Sequence, residues 1–169
     1  MDDPAVLLEI ESIKQLKARY CRHLDAKDWV AWRELFAEDF VSEIVDSASR
    51  VIVGADEFVT YTRQTIGKRS QPTVHQVHTP EISLTSQTTA RGIWALNDVV
   101  RLIPIITLRG YGHYHEKYEK TDGQWRLKSS RLTRLREDVV TPLITLHDAQ
   151  WLRAAAARIA RRTSDMNSQ

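Results

Sequence analysis

Only one cysteine, Cys21, stands in the chain, so neither an intrachain disulfide nor a cysteine-based zinc site is available. It lies among apolar neighbours in a helical pattern and reads as a buried, inert thiol. Glycine and proline are scarce, six and five in 169 residues, which excludes collagen-like and low-complexity architectures. An excess of one charge sign is missing too. Lys+Arg number 24 against 22 Asp+Glu, a formal net charge of +2. Nucleic-acid binding would then need basic residues gathered on one face. The one such cluster is Arg153, Arg158, Arg161 and Arg162, near a chain end, where charge runs ordinarily keep the end solvated. No nucleic-acid partner is expected. No stretch approaches ~18 consecutive apolar residues, so no membrane span is expected either. The start Met1-Asp2-Asp3-Pro4 lacks the basic region and apolar core of a secretory signal, and a cytoplasmic location is the simplest expectation.

What is present is the composition of a single globular domain. Hydrophobic residues make up 42% and charged residues 27%, too much apolar character and too little net charge for a disordered chain. From about Pro4 to Asp25, Leu7, Ile10, Ile13, Leu16, Tyr20 and Leu24 recur three or four residues apart, one face of a helix. A short second helix follows, with Trp29, Trp32, Leu35 and Phe36 on its inner side. Phe40 to Val53 reads as extended, with a turn near Ser47. Gly54 and Asp56 open a third helix, roughly Asp56 to Thr65, which Gly67 stops.

Beyond this the period changes to two. His75, Val77 and Thr79 alternate with Val74, Gln76 and His78, and Ile82 and Leu84 continue the run. A polar turn at Thr85-Ser86-Gln87-Thr88 leads into a long strand region, Thr89 to Ile106, interrupted near Pro104. Leu108 to Lys120 and Trp125 to Leu135 are joined at Asp122-Gly123, a strong two-residue hairpin signal. A C-terminal helix is expected from about Leu146 to Arg162, with a loose tail after it. Helices first and a strand meander second predict an α+β domain over residues 1–145, helices lying on one face of a curved antiparallel sheet, with the C-terminal helix and tail over 146–169. A curved sheet covered by helices forms a cone whose mouth is a natural ligand site.

The hairpin register predicts which side chains enter the cone. Trp125, Leu127, Ser129, Arg131 and Thr133 share a face, opposite Tyr118, Glu116, Tyr114 and Gly112. The apolar members make this the inner face, which carries Arg131 and Glu116 inward as a potential pair. Trp94, Leu96 and Asp98 share a direction, so Asp98 is also carried inward, where a carboxylate needs a partner or a wet pocket. For the first long strand, alternation does not choose between the His75 and His78 faces. His113 and His115 flank Tyr114, face outward and lack a third ligand, so no metal is expected. Asp25 ends the first helix at the unfavourable end of its macrodipole, a hint of another role. Asp25-Ala26-Lys27-Asp28 equally suits a turn followed by the next helix's N-cap.

These residues together resemble a family. Ile13-Lys14-Gln15-Leu16-Lys17-Ala18-Arg19-Tyr20, Leu24-Asp25, Asp28-Trp29 and Leu35-Phe36-Ala37-Glu38-Asp39-Phe40 look like the opening of a SnoaL-like domain of the nuclear transport factor 2-like superfamily. His75, His78-Thr79-Pro80-Glu81-Ile82 and Gly92-Ile93-Trp94-Ala95-Leu96-Asn97-Asp98 continue it, and Gly112-His113-Tyr114 through Trp125-Arg126-Leu127 closes it. The resemblance spans about residues 5 to 140 and is to the dehydratase branch, which includes scytalone dehydratase, the bile-acid 7α-dehydratases and hexachlorocyclohexane dehydrochlorinase. It implies a cone-shaped α+β barrel with an internal active site and neither metal nor organic cofactor. It also implies that His75 points inward and His78 outward. The bile-acid enzymes use a Tyr and an Asp of the first helix, a His of the strand after the third helix and an Asp of the next strand. Tyr20, Asp25, His75 and Asp98 stand at the matching places.

The expectation is a cofactor-independent lyase of the dehydratase type acting on a cyclic, largely apolar small molecule. His75, oriented by Asp25, would be the base, Tyr20 a hydrogen-bond donor, and Asp98 an acid or proton carrier. Trp94, Leu96, Tyr114, Glu116 and Arg131 would contact substrate. Isomerisation, carbon–carbon cleavage and a noncatalytic binding or subunit-partner role are the alternatives. A homo-oligomer is expected, a trimer before a dimer, burying Ile93, Val99, Leu132 and His78 of the outer sheet face.

Overall fold

The computed structural model describes residues 4–45 and 50–147. Helix α1 (Pro4–Ala26) turns Ile13, Leu16, Tyr20, Cys21 and Leu24 to the interior, the face that the sequence spacing marks, and buries Lys17 with them. It ends on Lys27 in the left-handed region at φ 60°, where Lys27 N–H reaches Leu24 O and Asp28 N–H reaches His23 O, the bond pattern of a Schellman cap. Asp28 then caps α2 (Trp29–Arg33) by accepting from Ala31 N–H at 3.2 Å. Capping by Asp28 leaves Asp25 free to face the sheet. Strands β1 (Phe36–Val45) and β2 (Arg50–Val53) pair antiparallel, and α3 (Ala55–Ile66) follows.

The meander consists of β3 (Thr73–Leu84), β4 (Thr89–Ile103), β5 (Ile106–Thr121) and β6 (Gln124–Val140), with a short β7 (Thr145–Leu146) against the end of β6. The sheet order is β2-β1-β6-β5-β4-β3. Asp122 and Gly123 adopt φ 52° and 75°, both positive as the predicted hairpin turn requires. Pro104 and Ile105, where the strand region was expected to be interrupted, form the turn between β4 and β5. All pairings are antiparallel except β1 with β6, which is parallel, so the sheet is mixed where an antiparallel one was expected.

The helices lie on one face of the sheet, and the core sits between. Trp94, Leu96, Tyr118, Trp125 and Leu127 are all buried. An aromatic cluster joins the layers: Tyr20, Trp32, Phe36, Phe40 and Phe58 pack with ring centroids from 4.6 Å (Phe36–Phe40) to 5.9 Å (Tyr20–Phe36). Such tilted and edge-on pairs add about 0.5–1.5 kcal/mol each beyond area burial.

One strand departs from simple alternation. On β6, Leu127 opposes Tyr118 but Ser129 opposes Lys117, so Lys128 is an extra residue. Arg134 opposes Gly112 and Arg136 opposes Tyr111, which makes Leu135 a second one. Each bulge flips the face of everything beyond it. Ser130, Leu132 and Arg134 therefore point inward, whereas the unbroken register predicted Ser129, Arg131 and Thr133. Arg131 is on the outer face, 54% exposed and 3.5 Å from Glu43, and does not pair with Glu116. Leu132, expected on the outer face, is inside. The expected turn at Ser47 and the expected C-terminal helix lie outside the described residues, apart from Leu146, which ends β7, and His147, which is in a turn.

Candidate active site

A cavity of about 200 Å³ opens between the three helices and strands β1 and β3 to β6. Its apolar walls include Leu24, Trp32, Phe58, Val100, Leu108 and Leu132. His75 and Asp25 meet at one side. Asp25 sits one turn beyond Cys21 on α1, and His75 is the third residue of β3. The His75 Nδ1–Asp25 Oδ1 distance is 2.6 Å, and the His75 backbone N–H donates to Asp25 Oδ2 at 2.7 Å. The Thr73 hydroxyl donates to Asp25 Oδ1 at 2.8 Å. An ionised carboxylate only accepts, so this geometry selects the Nδ1–H form of the imidazole and leaves Nε2 as the basic nitrogen. The His75 side chain is 6% exposed and Asp25 24% exposed, so the contact is largely shielded from water.

Asp98 is the register partner of His75 on β4. It is 3% exposed, and its carboxylate binds Arg134 Nη2 at 2.7 Å. The other terminal guanidinium nitrogen, Nη1, is buried and has no acceptor among the described residues. The pair needs Gly110: a Cβ built there would lie 2.2 Å from both Arg134 Nη1 and Asp98 Oδ1. Gly110→Ala should therefore force the ion pair apart while leaving the sheet hydrogen bonds in place. Breaking a buried pair typically costs about 3–5 kcal/mol, and a drop of that order in the free energy of urea unfolding is expected.

Three tyrosines line the cavity, Tyr61 from α3 and, from opposite layers, Tyr20 from α1 and Tyr114 from β5; the last two are buried. Burial pushes the hydroxyl pKa values of Tyr20 and Tyr114 upward, so these two remain O–H donors at neutral pH. Beneath them lies an ion pair absent from the sequence expectation. Lys17 Nζ, fully buried, is 2.6 Å from Glu116 Oε1 and sits 4.1 Å and 3.8 Å from the ring centroids of Tyr20 and Tyr114. Glu116 also accepts from the hydroxyls of Ser130 and Tyr118, and the Tyr118 oxygen accepts from Trp94 Nε1–H at 2.8 Å. Burial pushes the Cys21 thiol up to about 11, in keeping with an inert core residue.

Of the residues picked out in the sequence, Tyr20, His75, Asp98 and Tyr114 line the cavity, and Asp25 touches it through His75. Trp94, Leu96 and Glu116 point inward but are packed below the cavity wall, and Arg131 is outside. Arg134 and Lys17 went unrecognised. Two signals pointed at them: inward glycines at positions 110 and 112, which leave room for something bulky opposite, and a lysine on the apolar face of α1, three residues before Tyr20. Among the described residues, no three His, Cys, Asp or Glu side chains converge as a metal site.

Solved structures share this architecture. A scytalone dehydratase-like protein from Novosphingobium aromaticivorans DSM 12444 superposes with a TM-score of 0.68 at 25% identity, over 78% of this chain and 87% of that one. Rv3472 of Mycobacterium tuberculosis, of unknown function, gives 0.64 at 26% identity over 77% and 73%. The hexachlorocyclohexane dehydrochlorinase LinA-type3 from Novosphingobium barchaimii LL02 gives 0.69 at 14% identity over 80% and 92%, a likeness of fold. The SnoaL-like domain profile matches residues 5–131, most of the helical layer and the sheet through the first bulge of β6. With the cone, its internal cavity and that match together, the chain belongs to the SnoaL-like domain family.

Proposed function

We propose that the protein is a cofactor-independent lyase that eliminates water from a cyclic, largely apolar substrate such as a steroid, polyketide or aromatic compound. The observation that carries this reading is His75, tied through Nδ1 to Asp25 and facing an apolar cavity. His75 Nε2 takes a proton from the carbon next to an activating carbonyl. The electron pair of that C–H bond forms the new C=C bond, and the neighbouring C–O bond breaks. The imidazolium returns the proton to the departing oxygen, which leaves as water, and the charge on His75 is stabilised meanwhile by Asp25. Tyr20 O–H donates to the oxygen on which charge develops. Asp98 is the counter-ion of Arg134 here and not an isolated acid, so its role becomes that of holding the guanidinium beside the reacting oxygens. Nη1 of Arg134, buried and without an acceptor among the described residues, is a donor that a substrate oxygen would satisfy.

The test is turnover of a panel of hydroxylated steroids, cyclic polyketides and aromatic alcohols, followed by mass loss of water. Tyr20→Phe should lower kcat by about 10²–10³-fold, the worth of a transition-state donor, with little change in KM. A panel compound that binds wild type and Tyr20→Phe equally and is recovered unchanged from both would favour a binding domain. Double-bond migration without loss of water would make the enzyme an isomerase on the same residues.

A further inference from the structure

The contacts of Asp25 continue past Thr73. Lys27 Nζ donates to Thr73 Oγ1 at 2.7 Å, Thr73 donates to Asp25 at 2.8 Å, and Asp25 accepts from His75 at 2.6 Å. We propose that Lys27 and Thr73 are positioning residues of the site, and that the donor-only ammonium of Lys27 sets the direction of a hydrogen-bond chain ending on the His75 ring. This rests on His75 being the base. An ammonium has three donors and no acceptor, so a charged Lys27 obliges the Thr73 oxygen to accept from it and the Thr73 proton to point at Asp25. Asp25 Oδ1 is then held by two donors, Thr73 and His75, and cannot rotate away from the imidazole.

Two features of the chain point to the same conclusion. Lys27 occupies the left-handed cap of α1, a place that favours glycine, yet carries the side chain needed to reach β3. Thr73 is 5% exposed and its hydroxyl is engaged on both sides. Lys27 is partly buried, and its pKa is lowered by burial and raised by Asp25, burial having the larger effect. The ammonium also acts on the ring electrostatically. The other charged and titratable groups that share the cavity with His75 are Asp98 on β4, Tyr20 on α1, Tyr61 on α3, Tyr114 on β5, and Arg134 and Glu137 on β6. On the far side of the ring a surface groove brings Lys14, Cys21 and His78 near it. Lys27 is the cation joined to Asp25 through a hydrogen-bonded hydroxyl. It opposes proton uptake by His75 and draws charge from the Asp25 oxygen that the ring proton faces.

The test uses Lys27→Met and Thr73→Val in the full chain, with Lys27→Arg and Thr73→Ser as conservative partners. In the ligand-free protein, the low-field proton resonance of His75 Nδ1–H, assigned by its loss in His75→Ala, reports the pull of Asp25 on that proton. It should move downfield in Lys27→Met and Thr73→Val and return towards the wild-type position in the conservative variants. With the panel compound converted fastest, the acid limb of the turnover profile should move to higher pH by about 0.5–1 unit in Lys27→Met, the scale of one partly screened charge a few ångströms beyond Asp25. A purely structural role would change stability without moving either signal. A resonance unchanged in both Lys27→Met and Thr73→Val would overturn the proposal. Because the resonance is read without substrate, absence of turnover in wild type would count against the lyase reading and leave the relay standing.

Discussion

His75→Ala should lower turnover by about 10²–10⁴-fold, the usual worth of a general base, with the fold and the affinity for substrate retained. Retention is expected because, among the described residues, the His75 side chain hydrogen-bonds to Asp25 alone, while the His75 backbone N–H and the Thr73 hydroxyl continue to hold that carboxylate. Asp25→Asn is the sharper companion. The amide can donate to Nδ1, which would move the ring proton to Nε2 and leave no lone pair facing the cavity. A loss in kcat comparable with that of His75→Ala, at unchanged affinity by calorimetry, is the expected result. Wild-type rates in both variants would sink the proposed mechanism.

A loss of stability as large as that of Gly110→Ala should come from Lys17→Met. Methionine nearly matches the lysine in volume, so packing is kept and the charge alone is removed. Glu116 would then be left fully buried with its cation gone, and truncating one member of such a pair ordinarily costs about 3–5 kcal/mol. Urea unfolding should show that loss as a lower midpoint at constant slope. The double variant Lys17→Met/Glu116→Gln should recover part of it, since glutamine can still accept from Tyr118 and Ser130 without a buried charge. A single variant as stable as wild type would mean that water reaches Glu116.

Much of this was legible in the sequence. The helix face of α1, the hairpin at Asp122-Gly123 and the inward run Trp94, Leu96, Asp98 each follow from a period or a turn preference written over several residues. Tyr20 and His75 follow from the family resemblance, since alternation alone leaves the His75 face undecided, and the resemblance adds to the hint that Asp25 gives by ending a helix at the unfavourable end of its dipole. Arg134 was hidden for a specific reason. A β-bulge inserts a residue without a sequence mark of its own, and two bulges separate Trp125 from the far end of β6. Counting from the hairpin gives the right face up to Leu127 and the wrong one from Ser129 to Thr133. Lys17 was hidden because a lysine on a helix is read as solvated until its partner, 99 positions away, is located.

The two extra residues of β6 have a consequence for descent. Loss of Lys128 from the chain would leave the faces as they are: Leu127 would still oppose Tyr118 and Ser129 would still oppose Lys117, so Ser130 and Leu132 would stay inside and Arg131 outside, now in plain alternation. A lineage could therefore gain or lose that residue by a single-codon change and keep the chemical lining of the wall intact, while every position beyond it shifts by one in the count. Equivalent wall positions in two relatives are therefore those that face the same way, and matching them by distance from the hairpin would pair Arg134 of this chain with a residue that never meets a substrate.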